Sequence, residues 1–120
     1  MIVTIERTFR FEAAHLLPNV PAEHKCRRLH GHSFATDVVV RGEIDPRLGW
    51  LVDYAEIKAA VEPLRQLLDH RHLNEIEGLE NPTSENIAIW IWERLLPALP
   101  GLAEVRVAET CNNACVYRGE

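Results

Sequence analysis

Cys26-Arg27-Arg28-Leu29-His30-Gly31-His32 holds the residues of this chain best suited to chemistry. Its two histidines stand at i and i+2, so on a strand both point to one face, and Gly31 leaves the space between them open. His15 closes the alternating run Phe9-Arg10-Phe11-Glu12-Ala13-Ala14-His15. Three imidazoles on two neighbouring strands can make a His₃ zinc site with an open fourth position, the catalytic rather than the closed structural kind. Iron, copper and nickel also accept imidazole, but the motif lacks the carboxylate of an iron facial triad. Cys26 sits between Lys25 and Arg27, with His24 and Arg28 close by. A free cysteine often behaves as a small buried hydrophobe. Positive neighbours instead favour the thiolate, and this setting favours a reactive role.

Other candidates lie further along. Asp69-His70 is a carboxylate beside an imidazole at an expected helix end. It reads either as a helix cap, where the dipole favours a cation, or as an oriented acid–base pair if the helix has ended by residue 69. His72 reads as a surface residue or a supporting group. Glu109 shares strand parity with Val105 and Val107. A carboxylate on that apolar side needs a partner. That partner is an arginine, such as Arg106 or Arg118 of a neighbouring chain, or the guanidine-like edge of a ligand. Cys111 and Cys115 have no comparable neighbours and read as reduced packing residues.

The elements that must position these groups follow from periodicity. Residues 3–14 alternate as a strand, with Ile5, Phe9, Phe11, Ala13 and His15 on one parity. Residues 17–28 form a long polar connection with two prolines, a length typical of functional loops. A second strand runs over 30–41, with His30, His32, Phe34, Thr36, Val38 and Val40 sharing a face. Asp53 to Glu56 opens a helix as a capping box, and Ile57, Val61, Leu64 and Leu68 form its stripe. Pro63 should kink or shorten it. Asn81-Pro82-Thr83-Ser84-Glu85 starts a second helix carrying Ile87, Trp90, Ile91 and Leu95. The chain closes in a hairpin, residues 103–110 and 114–117, around Asn112-Asn113. Two strands, two helices and two strands (ββααββ) predict an α+β fold with a four-stranded antiparallel sheet and both helices on one face. Its exposed edges need covering, which points to a homo-oligomer closing a β-barrel.

A chain of 120 residues is read as one domain, 1–120. The net charge of −5 argues against nucleic acid and acidic membranes as partners. No apolar run approaches a membrane span, and Glu6, Arg7 and Arg10 near the start are unlike a signal peptide. Three cysteines are too few and odd for a disulfide framework, so a reducing cytoplasm fits.

Taken together, Phe11-Glu12-Ala13-Ala14-His15, Cys26-x3-His30-Gly31-His32, Leu68-Asp69-His70, Leu73-Asn74, Asn81-Pro82-Thr83-Ser84-Glu85 and Glu109-Thr110 resemble the 6-pyruvoyl-tetrahydropterin synthase family. The likeness is strongest to its bacterial branch, the 6-carboxytetrahydropterin synthases of queuosine biosynthesis. It implies the tunnelling fold, with trimers closing barrels, hexamers from stacked trimers, and active sites between subunits. It implies Zn²⁺ on His15, His30 and His32, Cys26 as base assisted by Asp69 and His70, and Glu109 as pterin anchor and part of the proton relay, with Thr110 beside it as a substrate contact. The implied reaction turns 7,8-dihydroneopterin triphosphate into 6-carboxytetrahydropterin, acetaldehyde and triphosphate. Lys25, Arg27 and Arg28 are the expected contacts for the triphosphate. The pyruvoyl-forming branch is the nearest alternative, and the three-residue gap between Cys26 and His30 favours the carboxy branch. A zinc hydrolase with an incidental cysteine and a non-catalytic zinc module are the readings from other classes.

Overall fold

Apolar and polar residues alternate from the start of the chain, and the first two strands, β1 (Ile2–His15) and β2 (His30–Glu43), follow that pattern. The computed structural model describes residues 1–110 and 112–120. Cys111, read above as a packing residue, lies outside them. β1 and β2 pair antiparallel along their full length, with Phe11 opposite Phe34, Ala13 opposite His32 and His15 opposite His30. Residues opposite each other in such a ladder share a face, so the odd residues of β1 and the even residues of β2 form one surface. Phe9, Phe11, Phe34, Val38 and Val40 are buried there, and the Phe11 and Phe34 rings stack with centroids 4.9 Å apart.

Two helices cover that surface. α1 (Tyr54–Leu68) is capped by the Asp53 carboxylate, which accepts from the Ala55 N–H at 2.9 Å. Its expected stripe of Ile57, Val61, Leu64 and Leu68 is buried. Burying each such side chain contributes about 1.5–3 kcal/mol. Pro63 does not shorten the helix, one of the two effects expected of it. It lies on the solvent side, as does Ala59, whose carbonyl it leaves without an intrahelical donor. Water can satisfy that carbonyl, and the buried stripe holds the helix on both sides. α2 (Ser84–Leu95) opens on Thr83, whose hydroxyl accepts from the Asn86 N–H at 3.1 Å, and buries Ile87, Ala88, Trp90, Ile91 and Leu95.

The sheet is not purely antiparallel. After α1 the chain forms a two-residue strand, β3 (Arg71–His72), which pairs in parallel with Ala13 and Ala14 of β1. β4 (Leu102–Glu109) and β5 (Asn113–Tyr117) complete a five-stranded mixed sheet in the order β3-β1-β2-β4-β5. The four expected strands are all present, and β3 extends their edge. The α+β class stands. Among the described residues, no helix is long and apolar enough to cross a membrane.

Candidate active site

The β1–β2 register brings the three histidines together at one end of the buried face. Their ring centroids lie 4.7, 4.9 and 5.2 Å apart, and one ligand nitrogen from each lies within 4.8 Å of the other two. His15 is 1% exposed. Its Nδ1 lies 2.8 Å from the Pro82 carbonyl, and His30 Nδ1 lies 2.7 Å from the Arg28 carbonyl. A carbonyl only accepts, so both rings carry their proton on Nδ1 and leave Nε2 bare. His32 Nδ1 lies 2.6 Å from the Thr110 hydroxyl. The Nε2 atoms of His15 and His32 are buried without a hydrogen-bond partner among the described residues. Buried nitrogens left bare while Nδ1 is tied back are the arrangement that metal-ligating histidines adopt. Burial also pushes the His15 imidazole below its usual pKa, with the Pro82 hydrogen bond opposing, which favours the neutral form that a metal needs. The donor set therefore fits a divalent ion such as zinc.

Gly31 is not needed to keep the histidines apart. It points to the other face, and a Cβ there would sit 3.5 Å from the Ala13 carbonyl oxygen, an ordinary contact.

His30 and His32 line a cavity of about 490 Å³ with Lys25, Cys26, Glu109, Thr110 and Asn113. Cys26 is half-buried, a free thiol in a short 3₁₀ turn over Lys25–Arg27. Its N–H donates to His24 Nδ1 at 3.1 Å, and its carbonyl accepts from the Leu17 N–H at 2.8 Å, which pins the polar connection. Of the three cations expected around a phosphate tail, only Lys25 lines this cavity. Arg27 donates from Nη1 to the Val20 carbonyl at 3.0 Å and so braces the loop, while Arg28 serves through its carbonyl on His30.

Glu109 ends β4 opposite Phe34, on the histidine face, with Oε1 2.9 Å from His32 Nε2. The contact is close, but its angle is not that of a hydrogen bond. The two arginines considered as its partners are engaged elsewhere in the protomer. Arg106 lies 3.4 Å from Asp37 and Arg118 lies 3.0 Å from Glu104. Within the protomer the carboxylate faces a cavity and a histidine. Cys115, on β5, packs against the core as a free thiol, and burial pushes its pKa up.

Asp69 and His70 form the pair that their positions allowed. α1 has ended, and Asp69 is extended, with its N–H on the Arg65 carbonyl at 2.8 Å. Its Oδ1 accepts from the Glu12 N–H at 2.8 Å, and its Oδ2 lies 3.0 Å from His70 Nδ1 and 3.3 Å from Arg65 Nη1. The Glu12 N–H first, then His70 and Arg65, hold the carboxyl below its ordinary pKa. His70 takes φ 58° and donates its N–H to the Glu12 carbonyl at 2.6 Å. Among the described residues, the only other non-glycine residue at positive φ is Thr110, at 55°. Backbone in this region is strained for a bulky or branched side chain, and such residues gather at functional sites.

The Asp69–His70 pair does not share a cavity with Cys26. His70 opens into a separate space of about 690 Å³, lined by Glu12, Ala14, Gly31, Ser33, Arg71 and His72 together with His32 and Thr110. His72 stands there with Nδ1 3.3 Å from Glu75 Oε1, a supporting position. Within one protomer the thiol and the acid–base pair therefore flank the histidines in two spaces that meet at His32 and Thr110.

Several groups that hold the site have no side-chain signature, among them the Pro82, Arg28 and Glu12 backbone atoms. Asn74 has one that was left without a role. Its amide clamps the peptide after His15, accepting from the Leu16 N–H at 3.0 Å and donating to the Leu16 carbonyl at 2.8 Å. Only an Asn or Gln side chain can pair with a peptide in both senses.

The family model for 6-pyruvoyl tetrahydropterin synthase matches residues 4–120. The chain is 47% identical over 119 residues to a 6-carboxy-5,6,7,8-tetrahydropterin synthase of Synechocystis, covering 94% of this chain and 91% of that one. It is 45% identical over 91 residues to a dihydroneopterin monophosphate aldolase of Pyrococcus furiosus, covering 76% and 73%. The solved structure of a 6-pyruvoyl tetrahydropterin synthase from Caenorhabditis elegans superposes with a TM-score of 0.92 at 33% identity, covering 100% of this chain and 97% of that one.

Proposed function

The chain belongs to the 6-pyruvoyl tetrahydropterin synthase family, and from that premise we propose that it is a zinc-dependent 6-carboxy-5,6,7,8-tetrahydropterin synthase. It acts in queuosine biosynthesis and converts 7,8-dihydroneopterin triphosphate to 6-carboxytetrahydropterin, acetaldehyde and triphosphate. The observation that carries this reading is the convergence of three histidine ligand nitrogens with a free thiol and a carboxylate that line a cavity with His30 and His32. The 47% identity to the Synechocystis enzyme over nearly the whole chain supports the carboxy branch.

His15, His30 and His32 hold the zinc, which when bound polarises the side-chain oxygens of the substrate and acidifies the neighbouring C–H and O–H groups. Cys26 Sγ takes the proton those groups release. Asp69 holds the Nδ1 proton of His70, so that His70 Nε2 is free to relay a proton to or from the thiol. Glu109 accepts hydrogen bonds from the amine and ring N–H of the pterin. Lys25 faces the triphosphate. Because Cys26 and His70 line different spaces of one protomer, each complete site takes its thiol from one subunit and its Asp69–His70 pair from the next. A trimer, alone or stacked into a hexamer, closes the sheet edges and joins the two halves.

The test is incubation of the zinc-loaded protein with dihydroneopterin triphosphate, followed by mass analysis of the pterin and assay of acetaldehyde. A 6-carboxytetrahydropterin product is expected. A pyruvoyl product would overturn the carboxy assignment. The Pyrococcus aldolase supports a second reading, and turnover of the monophosphate alone would favour it. Elemental analysis should find about one zinc per chain, and His30→Ala should lose most of it. Full zinc in that variant would remove the ligand assignment.

Glu109→Gln tests the pterin anchor. The change keeps shape but removes the charge and one acceptor. A charge-assisted hydrogen bond contributes about 1.5–3 kcal/mol. Pterin affinity should therefore fall roughly 10- to 100-fold. Zinc content should be unchanged. Ligand titration with parallel melting checks this, and intact affinity with a large loss of stability would refute the anchor role.

A further inference from the structure

The three candidate metal ligands are held in two different ways. His15 and His30 give their Nδ1 protons to main-chain carbonyls, at 2.8 and 2.7 Å. Those oxygens cannot donate, so the tautomer of each ring is settled by the fold. His32 alone faces a side chain, the Thr110 hydroxyl at 2.6 Å, which can either accept or donate. On the opposite edge of the same ring, Glu109 Oε1 lies 2.9 Å from Nε2. A carboxylate there favours a proton on Nε2, the nitrogen that the other two histidines leave bare.

Two arrangements of His32 therefore compete. In one, Thr110 donates to Nδ1 and Nε2 carries the proton, favoured by the nearby Glu109 charge, and that proton blocks a metal. In the other, Nδ1 donates to Thr110 and Nε2 is free. We propose that Thr110 is a positioning residue for the metal centre, its hydroxyl accepting the His32 Nδ1 proton and so keeping Nε2 open against the pull of Glu109.

The backbone supports the same role. Thr110 is β-branched, yet it sits at φ 55°, and its N–H donates to the Ser33 carbonyl at 3.1 Å. Glycine or asparagine would occupy that conformation more easily, but glycine offers no hydroxyl. The strained turn directly after Glu109 brings the hydroxyl to the strand that carries His32, one residue from the Ser33 carbonyl. Thr110 lines both cavities, and beside any contact with substrate it acts through the histidine.

This inference rests on the reading of the three histidines as a zinc site. The experiment compares zinc affinity of the metal-free wild type, Thr110→Val and Thr110→Ser by competition with a chromophoric chelator. Nitrogen-resolved NMR of the same metal-free proteins reads the His32 tautomer. Valine keeps the branching and removes the hydroxyl, and serine keeps the hydroxyl. Supporting groups of this kind typically set metal affinity by about 10- to 100-fold. Thr110→Val should bind zinc weaker by that factor and carry its His32 proton on Nε2. Thr110→Ser should bind close to wild type with the proton on Nδ1. Zinc affinity of Thr110→Val equal to wild type, or failure of serine to restore it, overturns the proposal and leaves the zinc site standing. A wild type that takes up no zinc overturns both.

Discussion

Cys26→Ala is expected to lower turnover of dihydroneopterin triphosphate by roughly 10²- to 10⁴-fold, the range for a positioned acid–base group. That factor corresponds to about 3–5 kcal/mol of barrier. The argument is one of position. The thiol is free and half-buried, and it opens into the cavity that also holds His30, His32 and Glu109. A buried packing cysteine would have none of those neighbours. Alanine removes the sulfur without disturbing the loop, because Cys26 is tied to the fold through its backbone, by way of His24 and Leu17. Zinc should stay at the wild-type level, since among the described residues the clustered ligand atoms belong to the three histidines alone. Steady-state rates with elemental analysis on the same preparation check both halves. Near-wild-type turnover would make the cysteine incidental and favour hydrolysis by a metal-bound water. Loss of zinc would make Cys26 a ligand rather than a base.

How much of this was legible in the sequence depends on which atoms do the work. The histidine cluster was legible because side chains carry it. Period-two spacing put His30 and His32 on one face, and the parity of Phe9, Phe11 and Ala13 carried His15 to the same side. An antiparallel register of neighbouring strands then had to join them. Pro63 misled because propensity does not say which side of a helix meets water. β3 was illegible because two residues, Arg71 and His72, have no periodicity. The Arg27 guanidinium closes on the Val20 carbonyl, a loop contact that no residue-type pattern encodes. The carbonyls of Pro82 and Arg28 decide which nitrogen of His15 and His30 is bare, and main-chain atoms leave no signature. The division of the site was hidden for another reason. Sequence motifs list residues without saying which surface each one faces, so Cys26 and Asp69-His70 read as one set although the fold sends them to different spaces.

That division makes the last prediction. Chains carrying Cys26→Ala and chains carrying His70→Ala are each expected to be nearly inactive alone, and to regain activity when co-expressed. If a site takes its thiol from one subunit and its imidazole from the next, a random mixture restores roughly one site in four. If both groups served the same protomer, no mixture would contain an intact site. Within one chain, Asp69→Asn and His70→Ala should not add. Asparagine can still accept the Glu12 N–H that Asp69 holds at 2.8 Å, so the end of α1 is kept. It cannot hold the Nδ1 proton of His70 with a charge, and its amide turns the imidazole toward the wrong tautomer. Once the imidazole is gone, that fault has nothing left to act on. The double variant should therefore lose little more than His70→Ala alone. Full additivity would mean that Asp69 acts apart from His70. Absence of restored activity in a mixed oligomer isolated with both chains present would return Cys26 and His70 to a single subunit.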